Sequence, residues 1–452
     1  MRAFVHACLL SLIAVGAGSQ HARAADPVPV ATASAHPRVV VTFANAPRQS
    51  PGPAGSTGRR YTGDGYLLAQ SAHSQAKRVA AKYSLHEVAN WPIRSLAIHC
   101  VVYEIPDGRT VASVLAELSK DSTVALAEPL SEFHTLTDAQ STTKAPATGP
   151  APTSAPYNDP LYDLQTNLTA LGIAEAHETT QGAGVRIGLI DTGVDTRHPD
   201  LRGRIVRTKS FIEDRALIED KATSATAYRH GTAMAGLIAA VANNHIGIVG
   251  IAPQAQIEVF EACWQLQPDS DAAVCNTFTL AKALAAALDS GIALINMSIA
   301  GPADPLLTSL VEVAVKRGVV FVGAAAQPAD AFPTSIAGVI AAQGEQRAVR
   351  ADAFSVPATH ILTLRPNGQY DFESGTSVAA AELTGIVALL MSSSDTRLTT
   401  GSIVSLLKDS AVAVGGPATV ASGTINVNGA LTKLAEHKGA LVQVKRRVNS
   451  SL

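Results

Sequence analysis

The stretch GVRIGLIDTGVDTRHPDL, residues 184–201, passes from an apolar run with a single charge into a turn-rich segment, and Asp191 stands at the junction. An apolar run of this kind, without polar alternation, reads as a strand buried on both faces, the hallmark of a parallel sheet. IEVFEA (257–262), ALINMSI (293–299) and VVFVGAA (319–325) read the same way. Between and around them lie helical stretches: one from about His230, then TLAKALAAALDSG (279–291) and PLLTSLVEVAVKRG (305–318). The alternation predicts an α/β fold, a doubly wound parallel sheet with helices on both faces. In such sheets functional groups collect at the carboxyl ends of the strands, where Asp191 lies.

Two further stretches share the character of the Asp191 turn. RHGTAMAG (229–236) holds His230, and ESGTSVAAAELTG (373–385) holds Ser377, each beside glycine and small residues. Ser377 by itself reads equally as a helix start, since serine oxygens satisfy unpaired N–H groups there. Together the three residues have a chemistry: a serine hydroxyl attacks only if an imidazole takes its proton, and a carboxylate must hold that imidazole in the right tautomer.

On these residues, in the order Asp, His, Ser, and on NMSIAG (296–301), the chain from NDPLYDLQ (158–165) to GTINVNGAL (423–431) resembles the subtilisin-like serine proteases, or subtilases. The resemblance implies a serine endopeptidase in which Ser377 is the nucleophile, His230 the general base and then acid, and Asp191 the orienting carboxylate, with peptides or proteins as substrates and no cofactor in the chemistry. It places Ser298, Ile299, Ala300 and Gly301, with Ala324 and Ala325, on the walls of the pocket for the residue before the scissile bond. No acidic residue aligns with the pocket floor, where Pro328 stands, so apolar or aromatic side chains are expected there. The chain departs from the family where an asparagine donates to the oxyanion: here the position holds Gln327, after Ala326. A second reading follows from that departure, a subtilase fold acting mainly as a peptide- or protein-binding module. The loop VANNHIGIVGIAP (241–253) resembles one that holds a structural calcium in several subtilases, with Asp200 and Asn244 as side-chain ligands; a loop that only packs is the alternative. Asp195, His198 and His245 read as loop-fixing residues, and Ala233 stands where the family usually has a second histidine.

The rest of the chain sets the context. With 452 residues, 47% hydrophobic, there is length for roughly two to four domains. A balance of 35 basic and 37 acidic residues gives no basis for a nucleic-acid partner. Arg2, the apolar run 7–15 and Ala22-Arg23-Ala24 have the form of a signal peptide spanning 1–24, so the protein is expected to be exported, to a periplasm or beyond the cell. No later window reads as a transmembrane anchor. After loss of Cys8, the cysteines left are Cys100, Cys263 and Cys275; the last two flank a polar loop that closes easily into a disulfide, the alternative being three buried thiols. No CxxC or HExxH pattern points to zinc.

Residues 137–156, rich in Pro, Ala, Thr and Ser, read as a flexible linker. Upstream, RVVVTFA (38–44), a helix near 71–84, a long strand over 93–105, a helix over 110–120 and a last strand over 124–133 predict a small α/β unit, with 46–70 as an insertion. His99 beside Cys100 reads as a packing residue. The order of these elements resembles the ferredoxin-like subtilase propeptide, an intramolecular inhibitor, which gives 25–136 as propeptide, a self-cleavage point between about 134 and 157, and 157–437 as the peptidase domain. A basic tail, 438–452, closes the chain.

Overall fold

The computed structural model describes residues 36–45, 70–137, 156–212, 228–265, 267, 270–345, 350–411 and 425–437. The expected signal peptide, the insertion, most of the linker and the basic tail lie outside these residues.

Seven strands form one sheet in the order Phe354–Val356, Val339–Gly344, Val320–Ala324, Leu294–Met297, Arg186–Asp191, Gln256–Glu261, Ile205–Ser210. Every neighbouring pair is parallel. Alternate residues of Arg186–Asp191 face opposite ways, as a strand requires. Ile187 and Leu189 enter the core shared with the helices Arg229–Ala239 and Thr376–Ser393, while Ile190 enters that of Thr277–Asp289 and Pro305–Lys316. Both faces are therefore covered, and the apolar runs are unbroken for that reason. The chain reverses its winding beside Arg186–Asp191, which puts the carboxyl end of that strand at the crevice where α/β sheets place their sites.

Upstream, a four-stranded antiparallel sheet runs in the order His86–Ile93, Ile98–Glu104, Arg38–Ala44, Leu126–Pro129. Val39, Val41, Val101 and Tyr103 pack under its own helices, Gln70–Lys82 and Val111–Leu118, the second capped by the Thr110 side chain. Val40 and Val102, on the other face, join the core of the helices Thr277–Asp289 and Pro305–Lys316, where Trp91 meets Phe278 edge to face.

Two upstream strands differ from expectation. The run 93–105 is not one strand: it turns at Arg94–Leu96, with Ala97 in the left-handed region (φ 52°), and its first residue ends a separate strand, His86–Ile93. The run 124–133 is also two pieces. Leu126–Pro129 completes the upstream sheet, and Glu132–Thr135 leaves it to lie between Ile299–Ala300 and Ala273–Asn276, antiparallel to both. Ala273–Asn276 pairs in turn with Cys263–Gln265.

Candidate active site

Asp191 ends its strand fully buried, and its carboxylate accepts from His230 Nδ1 at 2.7 and 2.9 Å and from the Thr192 N–H at 2.6 Å. His230 sits in the first turn of the helix Arg229–Ala239, also fully buried. What brings that turn so close is Gly231, whose N–H donates to Thr192 Oγ1. A Cβ there would lie 2.5 Å from the Gly193 carbonyl oxygen, so no larger residue fits without moving the histidine.

Ser377 is the second residue of the helix Thr376–Ser393, which follows Gly375 at φ 135°. The first four N–H groups of a helix have no partner inside it. At Ser377 that N–H points at the carbonyl of Leu136, 3.1 Å away. Ser377 Oγ donates to the Ser298 carbonyl at 2.9 Å and accepts from the Leu136 N–H at 2.9 Å, while His230 Nε2 is buried without a partner. The helix is tied to the sheet by a polar chain: Asn296 donates to Thr384 Oγ1 and accepts from Ser298 Oγ, which also lies 3.1 Å from the Ser377 carbonyl.

Residues 132–136 thus lie along the site as a peptide would. Phe133 is fully buried against Phe332 and the bare Cα of Gly301, His134 is exposed, and Thr135 is buried. Leu136 packs on Ala300, Ala326 and Ala331. Of the residues expected on the pocket walls, Ser298, Ile299, Ala300 and Gly301 are all adjacent to this strand. Ala324 is in the main core, and Ala325 turns instead to Ala341 and Ala353, because successive residues leaving a strand face opposite ways. Against Leu136 stand Ala326 and Ala331 instead, the second on a loop with no periodic signal. Gln327 is exposed on the same loop.

Around His230 is a charged cluster that local sequence did not reveal. Arg365 bonds Asp271 and, at 2.5 Å, Glu373, while Arg229 holds Asp271 at 2.9 Å. Burial opposes the charged imidazole, but Asp191 beside it, with Glu373 and Asp271, outweighs that and raises the His230 pKa above its ordinary value. Burial likewise pushes Glu373 up to about 7, against the pull of Arg365.

Asp200 and Asn244 do come together, though not as a calcium site would have them. Asn244 presents its N–H to Asp200 Oδ1 at 2.9 Å, and the other oxygen accepts from the Ile248 N–H and the Tyr370 hydroxyl. A hard cation needs converging oxygens, and here hydrogen-bond donors converge on one carboxylate, so the residues do not fit the ion. Among the described residues no group of three His, Cys, Asp or Glu gathers as metal ligands. Within the loop after Arg186–Asp191, Asp195 accepts from the Arg197 N–H and His198 from the Asp200 N–H, and Asp195 also accepts from the distant Asn367 N–H. Cys263 and Cys275 are joined in a disulfide and Cys100 is a buried free thiol. His99 is buried without a ring partner and held neutral by burial, with a pKa of about 4. By length and composition the helix Thr376–Ser393 is apolar enough to cross a membrane, but 78% of it is buried in the protein core.

The sequence profile of the subtilase family matches residues 182–430, more than half of the chain. The chain belongs to the subtilase family. This subtilase is 30% identical over 261 residues to the major intracellular serine protease of Bacillus subtilis (strain 168), a match covering 52% of this chain and 79% of that one. It is 29% identical over 249 residues to thermitase of Thermoactinomyces vulgaris, covering 52% and 85%. Its fold is similar to the crystal structure of fervidolysin from Fervidobacterium pennivorans, a keratinolytic enzyme related to subtilisin, with a TM-score of 0.64 at 19% identity, over 88% of this chain and 61% of that one. The subtilase thus spans about three-fifths of fervidolysin. By family it is a serine-type endopeptidase.

Proposed function

We propose that this subtilase is an exported endopeptidase made as a precursor that cuts itself between Leu136 and Thr137, and then hydrolyses peptides that take the place of residues 132–136. The observation that carries this reading is the Leu136 carbonyl against the Ser377 N–H, at the end of a strand held between two others. In the reaction Ser377 Oγ exchanges its bond to the Ser298 carbonyl for one to His230 Nε2, which takes the proton as the oxygen attacks the Leu136 carbonyl carbon. Asp191 steadies the imidazolium. The Ser377 N–H and the Gln327 amide then receive the oxyanion, and His230 returns the proton to the departing Thr137 nitrogen. Water repeats the sequence to release the acyl group. The Ser298 bond and the lone His230 Nε2 describe a resting arrangement and favour no separate role as a binding module.

The test is the exported product. Its N-terminal sequence is expected to begin at Thr137, and Ser377→Ala is expected to accumulate uncut in a host lacking other secreted proteases. Normal maturation of that variant would refute self-processing.

A further inference from the structure

The residue before Leu136 is gripped by polar groups. Thr135 is buried, its Oγ1 accepts from the Ala273 N–H at 2.9 Å, and it lies 3.4 Å from the Asp271 carbonyl, to which it donates. Neither contact belongs to the strand ladder, in which Val274, Cys275 and Asn276 pair with His134, Phe133 and Glu132. The segment that makes them is fixed at both ends. The Asp271 carboxylate is clamped by Arg365 and by Arg229, the neighbour of His230, and the Cys263–Cys275 disulfide ties down the strand that follows. Gln265, on the partner strand, bonds the Ser270 carbonyl and accepts from the Arg229 N–H at 3.4 Å.

We propose that this clasp makes the enzyme select a β-hydroxy residue, threonine above all, immediately before the residue that donates the scissile carbonyl, and that Asp271 is the positioning residue that sets it. The inference rests on the reading of residues 132–136 as an occupant of the substrate cleft. A site built to bond a hydroxyl discriminates strongly against the isostere that lacks it, because its own buried donor is then left unpaired. Valine matches threonine in shape and strands the Ala273 N–H. Serine keeps the hydroxyl and loses only a methyl group.

The processed enzyme is to be assayed on internally quenched peptides built on EFHTLT, the sequence of residues 132–137, with Thr, Ser, Val or Ala at the fourth position. We expect kcat/KM for Thr to exceed that for Val by about tenfold or more, with Ser nearer to Thr. In Asp271→Ala, and more mildly in Arg229→Met, the Thr-to-Val ratio is expected to fall toward one while both peptides are still cleaved. Equal cleavage of the Thr and Val peptides by the unaltered enzyme would overturn the selectivity and leave the peptidase reading standing. Cleavage of neither would overturn both. An unchanged ratio in Asp271→Ala would remove Asp271 from the assignment.

Discussion

Gln327 sits exposed beside Ala326, where Leu136 packs, and by resemblance it stands in place of an asparagine that donates to the oxyanion. Its amide can make the same bond, but an extra methylene sets it farther from its backbone. In subtilisin itself, loss of that donor costs about 100- to 1,000-fold in turnover. Gln327→Asn is therefore expected to raise kcat with little change in KM, since the bond matters chiefly in the transition state; steady-state kinetics on one peptide decides it. A kcat that stays the same or falls would mean that Gln327 already reaches. At this scale the pairing of Asp191 with His230 was legible because each lies in a short motif whose small residues serve a local geometry, as Gly231 does for His230. Arg365, Asp271 and Glu373 were not. Arg365 and Asp271 lie 94 residues apart and meet only through the fold, leaving no local pattern.

The helix Thr376–Ser393 carries Ser377 at its exposed-donor end and is buried for most of its length, yet it contains one carboxyl group. Glu382 accepts from Asn167 Nδ2 at 2.7 Å, and its second oxygen is buried without a partner. Burial raises its pKa well above the ordinary value of 4.5. The folded state then keeps a proton that the unfolded state releases above about 4.5, so this group's contribution to stability declines as pH rises from there. Glu382→Gln keeps the bond to Asn167 and cannot ionise. In a Ser377→Ala background it is expected to raise stability at pH 8 by about 1–3 kcal/mol and to matter little near pH 4, as read by thermal unfolding. A variant less stable at both pH values would refute this. Elements such as this helix and the central strands were readable because burial on every side leaves a long apolar run. The upstream hairpin was not, since its turn at Ala97 falls inside such a run, and neither was the division after Pro129, where a chain of constant composition passes from one sheet to another.

Across the whole molecule, the upstream unit is held by its tail strand and by a buried carboxyl pair. Glu128, at the end of Leu126–Pro129, accepts from the Leu306 N–H at the start of the helix Pro305–Lys316, and Asp304 caps the same helix through the Leu307 N–H. Among the described residues, the Thr277 hydroxyl, which donates to Asp304, and the buried Cys100 thiol face the pair, and neither brings a positive charge. Burial and the neighbouring Asp304 push Glu128 up to about 9, which favours a retained proton there, and Asp304 is raised as well. Separation of the units frees Glu128 to return toward 4.5 and release it, so the cut complex is expected to loosen with rising pH, by up to about tenfold per unit within that window. Gel filtration of the processed complex at pH 6 and pH 8.5 measures this, and Glu128→Gln should remove the dependence; co-elution unaltered by pH would refute it. This pair was illegible in sequence because its members belong to different units. Under the proposed self-processing, the strand in the cleft is tethered to the site it fills until the chain is cut, and its local concentration is the same at any dilution. Once cut it would be a second molecule subject to mass action, so the proposed processing implies that a confined volume keeps the enzyme silent and an open one releases it.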